Sequence, residues 1–152
     1  MIGKRGDFKK GLYRPQKPKK YIGRKHPEYR SSWELHFYQW ADRNPYVLEW
    51  AAEAVVVPYV SPLDNKIHRY YVDIILVLKE RKGNVKYLVE IKPFKQTLPP
   101  KPTKRKKKET LLHEQATYQV NQAKWEAASK WAKDNGYKFM VITEKELFPG
   151  KK

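Results

Sequence analysis

Ile67 to Pro93 reads IHRYYVDIILVLKERKGNVKYLVEIKP, and the fold turns on how this stretch divides. Tyr70 to Leu78 is rich in β-branched and aromatic residues and is interrupted only by Asp73, which predicts a strand. Val85 to Ile91 alternates, with Tyr87, Val89 and Ile91 on one face and Leu88, Glu90 and Lys92 on the other. Between them Lys79 to Asn84, KERKGN, supplies the Gly-Asn that suits a hairpin loop. A side-chain period of two puts Glu90 and Lys92 on the same face, about 7 Å apart along the strand. If the strands pair as a hairpin, Asp73 near the start of one meets Glu90 and Lys92 at the end of the other. Two carboxylates and a lysine then converge at one end of a sheet, the chemistry of a hard-cation site with a polarising ammonium beside it. An Asp in a strand is also an ordinary sheet-end residue, and E-x-K spacing recurs by chance. The flanking elements therefore carry weight.

Upstream, Ser31 to Asp42, SSWELHFYQWAD, predicts a helix whose Trp33, Phe37, Trp40 and Ala41 form a core-facing stripe; Asn44-Pro45 stops it. Glu34 has two readings. With Ser31 three residues before it, it completes a capping box; alternatively it is a third carboxylate at the active centre. Val47 to Ala54 is a short helix or an irregular lead-in. Ala54 to Val60 is a strand that Pro58 confines to an edge or bulge, and Ser61 to Lys66 is a turn. Downstream, Glu109 to Asn135 carries the longest helical pattern, with Leu112, Ala116, Val120, Ala123, Ala127 and Trp131 as its stripe. Gly136 is its natural stop, and Tyr118, Asn121, Gln122 and Lys124 fall on its other positions. Tyr137 to Thr143 is a further strand and Glu144 to Phe148 a short helix. The order helix, three strands, helix, strand predicts an α/β or α+β domain with a mixed central sheet flanked by helices.

The chain has 152 residues, which suits one domain, and 40% hydrophobic content, enough for a core. Its 33 Lys+Arg against 16 Asp+Glu give a formal charge of +17, which makes nucleic acid the default partner. No apolar run approaches the roughly 20 residues of a membrane span, so no membrane role is expected, and no secretory signal is evident at the start. There is no cysteine, and His26, His36, His68 and His113 lack ligand spacing, so a zinc site is not expected. Residues 1–30 form a basic arm with eleven Lys/Arg, interleaved with Tyr13, Tyr21 and Tyr29. These tyrosines pack either on the domain or on sugar and base. Residues 94–108 form a Lys/Pro-rich loop inserted in the domain of residues 31–148. It reads as a solvated linker, an import signal or, given its place directly after Lys92, a DNA-gripping loop, the reading preferred here. The nucleic-acid-binding candidates are Lys19, Lys20 and Arg24 in the arm, and Lys101, Lys104, Arg105, Lys106, Lys107 and Lys108 in the loop.

A helix bearing Glu34, an Asp73 hairpin and then Val89-Glu90-Ile91-Lys92 resemble the restriction-endonuclease-like core, E…D…E-x-K. SWELHFYQWADRNPYVLEW, PYVSPLDNKIHRYYVDIILVL, YLVEIKP and YKFMVITE together resemble the TnsA-like endonuclease group. The small size and basic ends look most like the head-completion nucleases of T4-type tailed phages. The resemblance covers about residues 31 to 145. The transposon endonucleases of this group carry Gln where Glu90 stands, so a transposition context is less expected. The resemblance implies a metal-dependent deoxyribonuclease with Glu34, Asp73, Glu90 and Lys92 as catalytic residues. Asp73, Glu90, the Ile91 carbonyl and Glu34 would ligate Mg²⁺, with Mn²⁺ as the alternative, and the products would be 5′-phosphate and 3′-hydroxyl ends. It further implies largely sequence-independent DNA as substrate, phage head, portal or neck proteins as partners, and a place in the host cytoplasm during assembly or in the virion. Two other readings stand beside it: a non-enzymatic basic DNA-binding structural protein, and a junction-resolvase-type nuclease on the same core.

Overall fold

A computed structural model describes residues 10–150; the first nine residues of the basic arm and the last two of the chain lie outside it. Two short strands in the arm, β1 (Gly11–Leu12) and β2 (Glu28–Tyr29), pair antiparallel. They are followed by α1 (Ser32–Arg43), β3 (Val47–Ala52), β4 (Val56–Val60), β5 (Ile67–Tyr71), β6 (Ile74–Glu80) and β7 (Gly83–Ile91). The chain ends with α2 (Lys108–Asn135), β8 (Tyr137–Ile142) and α3 (Glu144–Leu147).

The central sheet has the order β3-β6-β7-β8. The first two pairings are antiparallel and β7–β8 is parallel, so the sheet is mixed, as expected. The parallel pair requires a crossover, which α2 supplies. Alternation along β6 and β7 divides the core in two. Ile74, Leu76 and Val89 face α1 with Phe37, Tyr38 and Ala41. Ile75 and Leu88 face Ala128 and Ala132 of α2. α2 stops at Gly136, whose φ of 78° is the left-handed geometry that favours glycine.

Three expectations are corrected here. Val47–Ala52 is neither helix nor lead-in but an edge strand of the central sheet, with Trp50 fully buried. The run from Tyr70 to Leu78 is two strands, not one. β5 pairs with β4 in a separate ribbon, and the chain changes sheet at Val72–Asp73 before entering β6. The hairpin turn is also tighter than KERKGN implies, because Lys79 pairs with Asn84 and Glu80 with Gly83.

The stripe on α1 is rotated. Trp40 is 40% exposed, whereas Phe37, Tyr38, Ala41 and Asp42 are buried. Asp42 tolerates burial because the arm satisfies it: the Tyr13 hydroxyl donates at 2.6 Å, and the Gln16 and Lys17 N–H groups donate at 2.6 and 3.0 Å. Burial pushes its carboxyl upward, but these donors and Lys20 outweigh it and hold the group below the usual aspartate range. Residues 13–20 of the arm are thus fastened to the domain. Tyr13, Tyr21 and Tyr29 pack against the α1-side core, the first of the two arrangements open to them from sequence.

Candidate active site

β6 and β7 run antiparallel with Ile74 opposite Val89, so Asp73 and Glu90 meet one position further out. The Ile91 N–H donates to Asp73 Oδ2 at 2.8 Å, which fastens the aspartate across the strand pair. Lys92 Nζ lies 3.7 Å from Glu90 Oε2, on the shared face that the period of two requires. Glu90 is only 5% exposed. Burial drives the Asp73 carboxyl well above the usual aspartate range; the Glu90 charge and a hydrogen bond with it add to this, and Glu34 contributes from further away. Only the Ile91 N–H opposes them. Two carboxylates this close do not both ionise readily without a positive charge between them.

Glu34 enters from the N-terminus of α1. Ser31 is the N-cap, and its hydroxyl accepts from the Glu34 N–H at 3.2 Å. The reciprocal half of a capping box is missing, because Glu34 Oε1 accepts instead from the Arg30 N–H at 2.9 Å. Its carboxyl is raised by burial, lowered by that bond and by Arg30, and raised again by Glu53 and Glu90. Glu34 is therefore both a helix-start acceptor and within electrostatic reach of the other carboxylates. Among the described residues, no group of three His, Cys, Asp or Glu side chains is near enough to hold a metal ion. The close donor set is Asp73 with Glu90.

Glu53 escaped the sequence reading. It follows β3 with a φ of 51°, in the left-handed region where a non-glycine residue is strained. Its N–H donates to the Asp73 carbonyl at 2.9 Å, and its carboxylate pairs with Arg30 at 3.2 Å. Arg30 thus holds Glu34 by its backbone and Glu53 by its guanidinium. The available signal was two Glu residues, Glu49 and Glu53, in an otherwise apolar run, VLEWAAEAVVV, which does not say where the strand ends.

The basic candidates divide. Lys19, Arg24, Lys101, Lys104, Arg105, Lys107 and Lys108 are exposed. Lys20 Nζ instead donates to the Asp42 and Asn44 carbonyls at 2.9 and 2.8 Å, capping α1. Lys106 Nζ pairs with Glu114 at 2.7 Å and also donates to the Lys101 carbonyl. Lys107 is the N-cap of α2 and Lys108 its first residue, so the loop is one residue shorter than its charge pattern implies.

Residues 44–144 match the family model for the N-terminal TnsA-like endonuclease domain. The chain belongs to the TnsA-like endonuclease family. The match runs from the end of α1 through β8 and so contains Asp73, Glu90 and Lys92, while Glu34 precedes it. The chain is also 39% identical over 143 residues to the head completion nuclease of Enterobacteria phage T4, across 90% of this chain and 92% of that protein. Its mixed sheet flanked by helices is the restriction-endonuclease-like fold that this TnsA-like membership implies. No helix among the described residues is long and apolar enough to cross a membrane.

Proposed function

We propose that this chain is a Mg²⁺-dependent deoxyribonuclease that hydrolyses phosphodiester bonds and acts in phage head completion, processing packaged DNA before tail joining. The observation that carries the reading is the pairing of Asp73 with Glu90 at one sheet end, with Lys92 3.7 Å from Glu90. A protein that only bound DNA would be weakened by two carboxylates facing phosphate, since its affinity comes from cations. The donor set suits a hard cation: two carboxylates, with the Ile91 carbonyl as a third oxygen. A divalent ion held there would offset the like charges that, after burial, raise the Asp73 carboxyl. Asp73, Glu90 and the Ile91 carbonyl would hold Mg²⁺, or Mn²⁺ in its place, and Glu34 would hold a water of that ion or a second one. When bound, the ion acidifies a water and offsets charge on the phosphate.

The rest of the work falls to the chain. Lys92 would orient the attacking water and offset charge on a non-bridging phosphate oxygen with its ammonium, the water's proton passing to solvent. The water oxygen bonds to phosphorus, the bond to the 3′-oxygen breaks, and that oxygen takes up a proton. A 5′-phosphate and a 3′-hydroxyl remain. The exposed Lys19, Arg24, Lys101, Lys104, Arg105, Lys107 and Lys108 would hold the duplex by its backbone without reading bases. Phage head, portal or neck proteins would dock the enzyme in the host cytoplasm or in the virion.

The test is cleavage of supercoiled plasmid in Mg²⁺ by wild type, by wild type with EDTA and by Asp73→Ala, with DNA binding followed in parallel. Cutting that is lost in both controls while Asp73→Ala still binds DNA is expected. Tight binding without cutting in any sample would make this a DNA-binding structural protein. Cleavage of four-way junctions far faster than of linear duplex would make it a resolvase.

A further inference from the structure

We propose that Tyr70, Asn121 and Trp125 form a wall of hydrogen-bond donors that fixes the Glu90 carboxylate, with Tyr70 as the residue that touches it. The inference rests on the reading of Glu90 as a cation ligand. Glu90 points to the α2 side of the sheet, together with Leu88. Tyr70, on β5, is 4% exposed, and its hydroxyl faces both the Glu90 carboxylate and the Trp125 indole without completing a hydrogen bond to either. Burial, and then the nearby Glu90 and Asp73 charges, push that hydroxyl well above its ordinary range.

Asn121 was expected among the positions outside the helix stripe, yet it is 4% exposed. Helix geometry explains where it lies. Ala128 packs in the same cluster as Leu88. Asn121 is seven residues nearer the start of α2, about 10 Å toward the site; Glu90 is two residues past Leu88, about 7 Å in the same direction. Asn121 and Trp125 are four residues apart, hence neighbours on one face of the helix. Tyr70 Oη, Asn121 Nδ2 and Trp125 Nε1 are all buried and all lack a partner. Lys124 Nζ lies 5.6 Å from the centre of the Tyr70 ring and 5.8 Å from that of Tyr59, which pins the tyrosine from the helix.

Buried donors without acceptors call for one. The Glu90 carboxylate is the acceptor that Tyr70 faces. A carboxylate that gives one oxygen to a cation needs the other held, and such supporting groups typically govern 10–100-fold in metal affinity or activity. Tyr70 is therefore a positioning residue.

Tyr70→Phe removes the hydroxyl and keeps the ring. Three quantities decide the outcome: Mn²⁺ affinity by calorimetry without DNA, the Mg²⁺ concentration for half-maximal plasmid cleavage, and the melting temperature in EDTA. Tyr70→Phe is expected to weaken Mn²⁺ binding about 10–100-fold and to raise the Mg²⁺ requirement in parallel. Its melting temperature in EDTA should fall by no more than about 2–4 °C, the loss of one hydrogen bond. Trp125→Phe, which removes the indole N–H and part of the ring, is expected to shift both metal readouts in the same direction by less. Wild-type metal affinity and Mg²⁺ requirement in both variants would overturn the inference while leaving the nuclease reading intact. A wild type that neither binds Mn²⁺ nor cuts DNA would remove both.

Discussion

Asp73→Asn separates charge from shape at the sheet end. An asparagine oxygen still accepts from the Ile91 N–H, which now donates to Asp73 at 2.8 Å, so the strand pair stays fastened. What disappears is one of two buried like charges. The sign of the pH effect follows from the raised carboxyl. Folded wild type holds the Asp73 proton to higher pH than the unfolded chain does, so between those two values the native state binds more protons. The contribution of this group to stability is full below the ordinary aspartate value of about 4 and declines as pH rises through the raised one. In EDTA, wild type is expected to lose stability on this account towards neutral pH, and Asp73→Asn to lack that slope and to melt at or above wild type at pH 7.5.

Magnesium reverses the ranking. At a concentration of about 100 times its Kd, a ligand of the folded state adds about 2.7 kcal/mol. A domain of this size gains about 2–4 °C per kcal/mol, so wild type should melt about 5–10 °C higher with Mg²⁺ than with EDTA. Asp73→Asn should show almost none of that gain. Thermal unfolding followed by circular dichroism, with and without Mg²⁺, reads both effects. A variant that keeps the full Mg²⁺ shift, or that melts far below wild type in EDTA, would refute the reasoning.

Lys92→Met keeps much of the stem and removes the ammonium; kcat should fall about 10²–10³-fold, while DNA affinity in EDTA changes little. Glu34→Gln keeps an acceptor for the Arg30 N–H, so stability should stay within about 0.5 kcal/mol. A fall in cleavage of tenfold or more would then assign the carboxylate to the site, and unchanged cleavage would leave it as a helix-start acceptor. Asp42→Ala leaves the Tyr13, Gln16 and Lys17 donors unmatched and should cost about 3 kcal/mol, seen as a drop in melting temperature and as new protease cuts within residues 10–30. The Asp42 carboxyl is held low, so its contribution is present above the ordinary aspartate value and is lost as pH falls through the lower folded one. Lys104→Ala combined with Arg105→Ala and Lys107→Ala should flatten the plot of log affinity against log salt by about 0.9 for each phosphate no longer neutralised. An unchanged slope would take these three off the DNA.

The β6–β7 pair was legible because alternation in YLVEIK fixes its faces, and a strand pair with a short turn leaves few registers. That alone brings Asp73 opposite Glu90 with Lys92 beside it. The sheet change at Val72–Asp73 was not legible, because Tyr70, Tyr71 and Val72 suit a strand in either sheet. Trp40 and Tyr38 show the same limit. Both fit an apolar stripe, and only the buried Asp42 with its partners in the arm decides which way α1 faces. The burial of Asn121, placed outside the apolar stripe, was not legible because a polar side chain signals exposure unless its buried neighbours are known. Glu53 needed a backbone angle that no residue pattern encodes.

The arm has one more consequence. Trp50 N–H donates to the Lys20 carbonyl, and Ile22 N–H donates to the Trp50 carbonyl, both at 3.0 Å. Tyr21 thereby bridges to β3 on the side away from β6. Residues 20–22 thus occupy hydrogen-bonding positions along a strand that would otherwise offer them to another molecule. A chain shortened to begin at residue 31 would expose that row together with the ring of Trp50. Such a fragment should self-associate, which light scattering of the shortened and full chains would read.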